Sequence, residues 1–188
     1  MAADSNDNYF LRDIKKLRDA AKKSLDEGAV TQNYGGDLKA SIELLQSALA
    51  TEIVCVLRYT MNAIAVAGIN SKSVAAEFQE HAADEQRHMT EIADRIDQLG
   101  GTPNFDPEGL ASRSATEYGP GGTLVDMVKQ NLVAERIAVE HYRDLIRYFS
   151  DKDPTTRLML EHILKDEEDH ATDMHDLLVA HEGTPMLS

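Results

Sequence analysis

Apolar residues recur along most of this chain at alternating spacings of three and four, the period of a helix that buries one face. Four long segments carry the pattern. The first reads Ile42, Leu45, Leu49, Val56, Tyr59, Ala63 and Val66, and the second Phe78, Ile92 and Leu99. The third reads Val128, Leu132, Val139, Tyr142, Ile146 and Phe149, and the fourth Leu160, Ile163, Met174 and Leu177.

Caps and breakers set the expected limits. Asp37 is a good N-cap for a helix running to about Gly68. The second helix starts at Ser71 or Ser73 and stops at Gly100-Gly101. The third starts after Thr123 and ends near Ser150. The fourth has Asp153 as N-cap, Pro154 at its first position, and an end near Gly183. A shorter helix is expected from Asn8 to Glu27, set apart by Gly35-Gly36. Links within each pair are short, so each pair forms an antiparallel hairpin. About 20 residues rich in Pro and Gly join the pairs. The expected architecture is all-α: a four-helix bundle over 37–183 with one long crossover. A partly helical extension, 1–36, precedes it, and a tail, 184–188, follows.

Each stripe is broken near its middle by a carboxylate: Glu52, Glu85, Glu135 and Glu167. An unpaired buried carboxylate is costly, so four of them need a common partner. His88 and His170 each follow a Glu by three residues and share its helix face. Two divalent ions would cancel the four negative charges. One Glu from each of two helices, with Glu-x-x-His from each of the others, is a recognised dinuclear donor set. The halves of the chain repeat it. Glu52 to Glu85 spans 33 residues and Glu135 to Glu167 spans 32, while Tyr59 and Tyr142 lie seven residues after Glu52 and Glu135.

A lone Glu-x-x-His arises often by chance, and a register error of one would turn a stripe Glu to solvent. The conjunction on four helices argues against both. His81, four residues before Glu85, could orient a ligand or be a third ligand; a hydrogen-bonded core histidine is the preferred reading. Asp84 and Asp166 read as outer or surface groups, and Glu168 lacks a metal-binding partner three residues on. His141, His162, His175 and His181 fall off the stripes and are expected to be solvated. Cys55 reads as a buried, inert thiol.

The net charge of −14, from 33 acidic and 19 basic residues, excludes a whole-surface patch for nucleic acid. Arg12–Lys23 is the exception, with six basic residues against two acidic; a solvated helix face is preferred over a DNA contact there. One cysteine excludes an intramolecular disulfide framework and multi-thiolate metal sites. No basic-then-apolar leader and no unbroken run of about 18 apolar residues is seen, so a cytoplasmic protein with no membrane span is expected.

Three segments carry a family resemblance: LATEIVCVLRY around Glu52, HAADEQRHMTEIADRIDQLGGTPNF around Glu85 and His88, and ILKDEEDHATDMHDLL around Glu167 and His170. From about Leu38 to Leu178 the chain resembles bacterioferritin and its ferritin-like relatives. The resemblance implies a ferroxidase centre with two iron ions per subunit, manganese or zinc being possible substitutes. Glu52 and Glu135 would be terminal, Glu85 and Glu167 bridging, and His88 and His170 would each cap one iron. Tyr59 matches a tyrosine that can donate an electron. The implied function is oxidation of Fe²⁺ by O₂ or H₂O₂ in an iron-storing, detoxifying homo-oligomer.

Gln86 stands where bacterioferritin has a haem-ligating Met, so the resemblance does not extend to haem. Only 18 residues follow His170, too few for bacterioferritin's fifth helix, while the N-terminal extension resembles that of Dps-like proteins. Twelve subunits are therefore expected over 24. Two alternatives stay open. One is a di-iron or di-manganese oxidoreductase of peroxidase or catalase type without storage; the other is a Dps-like DNA-protecting protein.

Overall fold

Six helices and no strand make up the described part of the chain: α1 (Ile14–Ala21), α2 (Leu38–Ala65), α3 (Ser71–Gln98), α4 (Leu110–Arg113), α5 (Leu124–Phe149) and α6 (Pro154–Glu182). A computed structural model describes residues 13–23, 28–66 and 71–182. The expected ends near Glu27, Gly68 and Gly183, and the start at Asn8, lie outside the described residues.

The caps sit where the side-chain chemistry puts them. Asp37 Oδ1 accepts from Ala40 N at 3.1 Å. Thr123 and Asp126 form a reciprocal capping box at the start of α5. Asp153 Oδ1 accepts from Thr156 N at 2.9 Å at the start of α6. Gly100, at φ +83°, ends α3 with Gly101 N donating to Ile96 O, a turn that favours glycine.

α2 pairs with α3 and α5 with α6, and the two hairpins close on each other. The core forms two apolar blocks. One holds Leu49, Ile92, Ile96, Leu145, Phe149 and Leu160. The other holds Tyr59, Val74, Phe78, Met127, Val128 and Met174. Glu52, Glu85, Glu135 and Glu167 are placed between these blocks along their helices.

Three expectations need correction. α1 ends at Ala21, before the basic stretch does: it buries no residue, so local bonds alone hold it. The crossover contains α4, which four residues without a readable period did not reveal. His141 is half-buried, with Nε2 fully enclosed and without a hydrogen-bond partner. It shares a helix face with buried Ala138 and Leu145, so the buried sector is wider than the stripe. His162 and His175 are exposed.

α2 is long and apolar enough to cross a membrane by length and composition, although it contains no unbroken apolar run. Burial on two faces accounts for this. Beside the core stripe, Thr51, Cys55, Arg58 and Asn62 form a second buried row. The crossover covers that row. Arg58 Nε donates to Asn131 Oδ1 at 2.7 Å and Nη1 to Glu117 O at 3.0 Å, while Ala115 N donates to Thr51 Oγ1 at 2.9 Å.

Candidate metal centre

The four mid-stripe carboxylates and the two histidines converge. Glu52, Glu85, Glu135 and Glu167 are each at most 1 % exposed, and His88 and His170 at most 4 %. Their donor atoms form two overlapping groups, Glu52–Glu85–His88–Glu167 and Glu85–Glu135–Glu167–His170. Within each group the donors lie within 4.8 Å of one another. Glu85 and Glu167 belong to both.

The histidines turn Nδ1 inward. His88 Nδ1 lies 3.4 Å from Glu52 Oε2, 3.3 Å from Glu85 Oε2 and 3.2 Å from Glu167 Oε1. His170 Nδ1 lies 3.6 Å from Glu85 Oε1. The outer nitrogens face carboxylates: His88 Nε2 is 3.3 Å from Asp166 Oδ2, and His170 Nε2 is 3.6 Å from Asp84 Oδ2. Arg87 Nη2 links these two aspartates, at 2.9 Å from Asp84 and 3.0 Å from Asp166. A carboxylate behind a histidine fixes its tautomer and leaves the inward nitrogen free to bind a metal. Asp84 and Asp166 are thus outer groups, not interior ones.

The tyrosines cross over. Tyr59 on α2 donates to Glu135 Oε1 on α5 at 2.5 Å, and Tyr142 on α5 donates to Glu52 Oε1 on α2. Each ties up one oxygen of its carboxylate and leaves the other. His81 is a hydrogen-bonded core histidine, with Nδ1 3.2 Å from the Tyr59 hydroxyl. Its ring stacks on His170 at 4.0 Å. Cys55 is buried beside Arg58, whose Nη2 donates to its sulfur at 3.3 Å.

Charge is crowded here. Burial, with the neighbouring Glu85 charge, pushes Glu52 up to about 8. Burial and the Glu85 and Glu52 charges raise Glu167 well above the carboxylate range, and burial raises Glu135. Burial acts the same way on Glu85, but the imidazoles of His170 and His88, close to its two oxygens, outweigh it and hold this carboxyl well down. Burial works against the His170 charge, yet Glu85 lifts it to about 9. Protons therefore take the place that cations would fill. Glu52 Oε2, Glu85 Oε1, Glu135 Oε2, both Glu167 oxygens and His170 Nδ1 remain buried without a hydrogen-bond partner. Enclosed unpaired donors at this density fit metal ions and fit an apolar core poorly.

Arg58 went unnoticed in the sequence. It is fully buried, with Nη2 3.8 Å from Glu135 Oε1. The readable signal was the four-three-four spacing of Thr51, Cys55, Arg58 and Asn62, a second row beside the apolar stripe. Gln86 is exposed on α3.

The family profile described as Ferritin-like domain matches residues 42–182. The chain belongs to this ferritin family. Among its relatives, the "DNA protection during starvation protein" of Pyrococcus furiosus is 27% identical over 152 residues, 79% of this chain and 82% of the relative. The bacterioferritin of Mycobacterium bovis is 28% identical over 130 residues, 69% of this chain and 77% of the relative. Among solved structures, a dodecameric thioferritin, the bacterioferritin-related protein of Bacteroides fragilis, superposes with a TM-score of 0.76. It is 30% identical, with 93% of this chain and 99% of that one covered.

Proposed function

We propose that this ferritin-family chain is a ferroxidase that oxidises Fe²⁺ to Fe³⁺ with O₂ or H₂O₂ at a dinuclear centre within each subunit. The observation that carries this reading is the pair of overlapping donor groups that share Glu85 and Glu167. Glu52 and Glu135 serve as terminal carboxylates, Glu85 and Glu167 as bridges, and His88 and His170 as one nitrogen donor each. Carboxylate and imidazole donors suit iron or manganese, and zinc can compete for them.

Fe²⁺ is the substrate. Two Fe²⁺ give one electron each; O₂ takes both with two protons and leaves as H₂O₂, or H₂O₂ takes them and leaves as two waters. The protein holds the ions together and supplies fixed counter-charge. Loading metal displaces the protons that Glu52, Glu167 and the histidines hold. When H₂O₂ meets a single Fe²⁺, Tyr59 supplies the second electron and its phenolic proton passes to Glu135, its hydrogen-bond acceptor.

A cleft of about 200 Å³ between α3 and α6, lined by Asp84, Asp166, His81 and His170, offers cations a negative path to this site. Storage of the ferric product requires a closed shell. The dodecameric relative supports 12 subunits over 24, and such a shell suits a storage and detoxification role. Light scattering tests it: a mass near 12 times 20.8 kDa supports a container. A mass of one or two subunits redirects the protein to a di-iron or di-manganese peroxidase or catalase.

Glu85→Ala tests the chemistry. Fast Fe²⁺ oxidation should vanish while far-ultraviolet circular dichroism keeps its helical amplitude. A wild-type rate in that variant overturns the proposal.

A second reading, DNA protection, rests on α1, whose Lys15, Lys16 and Arg18 are all exposed, with exposed Lys22 and Lys23 just beyond. Arg12 lies outside the described residues. Deleting residues 1–36 should abolish any DNA retardation seen in gels at low salt; retention by the truncated chain removes this reading.

A further inference from the structure

A third group of donors lies outside the dinuclear set: Glu77 and His81 on α3 and Asp173 on α6. We propose that these three residues form a third divalent-cation site, for a further ion of the same substrate class as those at the centre.

The two acidic residues alone would mean little, because they are partly exposed. His81 changes that. It is only 2 % exposed, yet its Nε2 points out of the core into the cleft. There it lies 3.5 Å from Glu77 Oε1 and 3.5 Å from Asp173 Oδ2. Two donors each about 2.1 Å from one ion and 3.5 Å apart subtend about 113° at it, close to tetrahedral. His81 Nε2 therefore stands at the separation from each carboxylate that one shared cation requires, and all three donors lie within 4.8 Å of one another.

The hydrogen-bond chain behind His81 decides what Nε2 offers. Tyr59 has one proton and gives it to Glu135 at 2.5 Å. Its oxygen is then left to accept from His81 Nδ1, 3.2 Å away. The Nδ1–H tautomer follows, and Nε2 carries a lone pair aimed between two carboxylates. A lone pair facing two anions is a repulsive arrangement that a cation resolves. This step rests on the dinuclear reading in one respect: Glu135 must be ionised, as it is when it holds metal.

The site is also continuous with the centre. His81 stacks on His170 at 4.0 Å and reaches Glu135 through Tyr59. Glu77, Glu80, Asp84, Asp166, Asp169 and Asp173 all line the cleft, with Arg87 the only Lys or Arg among the lining residues. Three protein donors leave open positions for water, which suits an ion that binds and moves on rather than one held permanently.

The test uses full-length protein and Zn²⁺, a redox-silent probe, supplied at three equivalents per chain. Crystals prepared this way and measured at the zinc absorption edge should show an anomalous peak about 2.0–2.2 Å from His81 Nε2, besides two at the dinuclear centre. The Glu77→Gln, Asp173→Asn double variant should lose that peak and bind two ions per chain by metal analysis. Both substituted side chains are partly exposed, so folding is not at risk. Peaks at the centre alone in wild-type crystals, or three ions still bound by the double variant, overturn the third site. A peak at His81 with none at the centre overturns the dinuclear reading instead and leaves this site standing.

Discussion

The half of the centre around His88 and the half around His170 share one plan and differ in what surrounds it. Each has a Glu-x-x-His pair, a second carboxylate from the same hairpin, a tyrosine of the facing hairpin on that carboxylate and an aspartate behind the histidine. Four residues before Glu85 stands His81, but four before Glu167 stands buried Ile163. Six residues after Glu52 stands Arg58, with every partner it needs, but six after Glu135 stands His141, with an orphaned Nε2. The donors are duplicated while their surroundings have diverged. His170, stacked on His81, lines the cleft, and His88 does not.

The largest expected effect separates Arg58 from His141. Arg58→Met strips Asn131 and the Glu117 carbonyl of a donor and takes the guanidinium away from Glu135. It should cost about 3–5 kcal/mol, a fall in Tm of roughly 6–20 °C by calorimetry. His141→Phe removes only an unsatisfied buried nitrogen and should change stability by less than about 1 kcal/mol. Equal losses would mean the two positions are equivalent after all.

The pH dependence of the metal-free protein comes next. Burial raises Glu52 from 4.5 to about 8, and Glu85 lifts His170 against its burial from 6.5 to about 9. A folded-state pKa above the unfolded one means that the native state binds more protons. Stability is therefore full below pH 4.5 for Glu52 and below 6.5 for His170, and it is lost as pH rises to 8 and 9. Glu85 acts oppositely, but its loss falls on the acid side of 4.5. The metal-free Tm should fall between pH 5 and 9, and bound Zn²⁺ should flatten the slope. A metal-free Tm that climbs over this range contradicts the buried cluster.

The outer aspartates sharpen the comparison. Asp166→Asn and Asp84→Asn each weaken the hold on one histidine, and losses of outer partners cost about 10–100-fold in metal affinity. The contact is shorter behind His88, 3.3 Å against 3.6 Å. Asp166→Asn should therefore cost more, measured by competition with a chelating dye. The reverse order would show that the His170 half is the tighter one.

How much of this was legible follows from where each signal lies. Glu52, Glu85, Glu135 and Glu167 stood out because each breaks an apolar stripe, and a stripe is a property of one helix. Asp37, Thr123 and Asp153 were equally local as caps. The Arg58–Asn131 bond joins residues 73 apart, and no period in either helix announces it. Asp153 was expected to cap α6; that it also binds Arg95 Nη2 at 2.9 Å and Tyr34 at 3.0 Å depends on how three segments meet. His141 was misjudged for a related reason. A single stripe describes the seam between two helices, whereas a bundle helix buries a wider sector.

The smallest effect tests the crossed tyrosines. Tyr142→Phe leaves Glu52 Oε1 without its donor, and His88 Nδ1 lies nearest the other oxygen, Oε2. Tyr59→Phe leaves Glu135 Oε1 with Arg58 Nη2 already 3.8 Å away, close enough to move in as the new donor. A buried oxygen that loses its hydrogen-bond partner costs about 1–3 kcal/mol when nothing replaces it, and less when a neighbour does. Tyr142→Phe should thus lower the metal-free Tm further than Tyr59→Phe, by a few degrees. In a double-mutant cycle, Tyr59→Phe combined with Arg58→Met should cost more than the sum of the two, because each then removes the other's substitute. Simple additivity would show that Arg58 does not stand in for Tyr59.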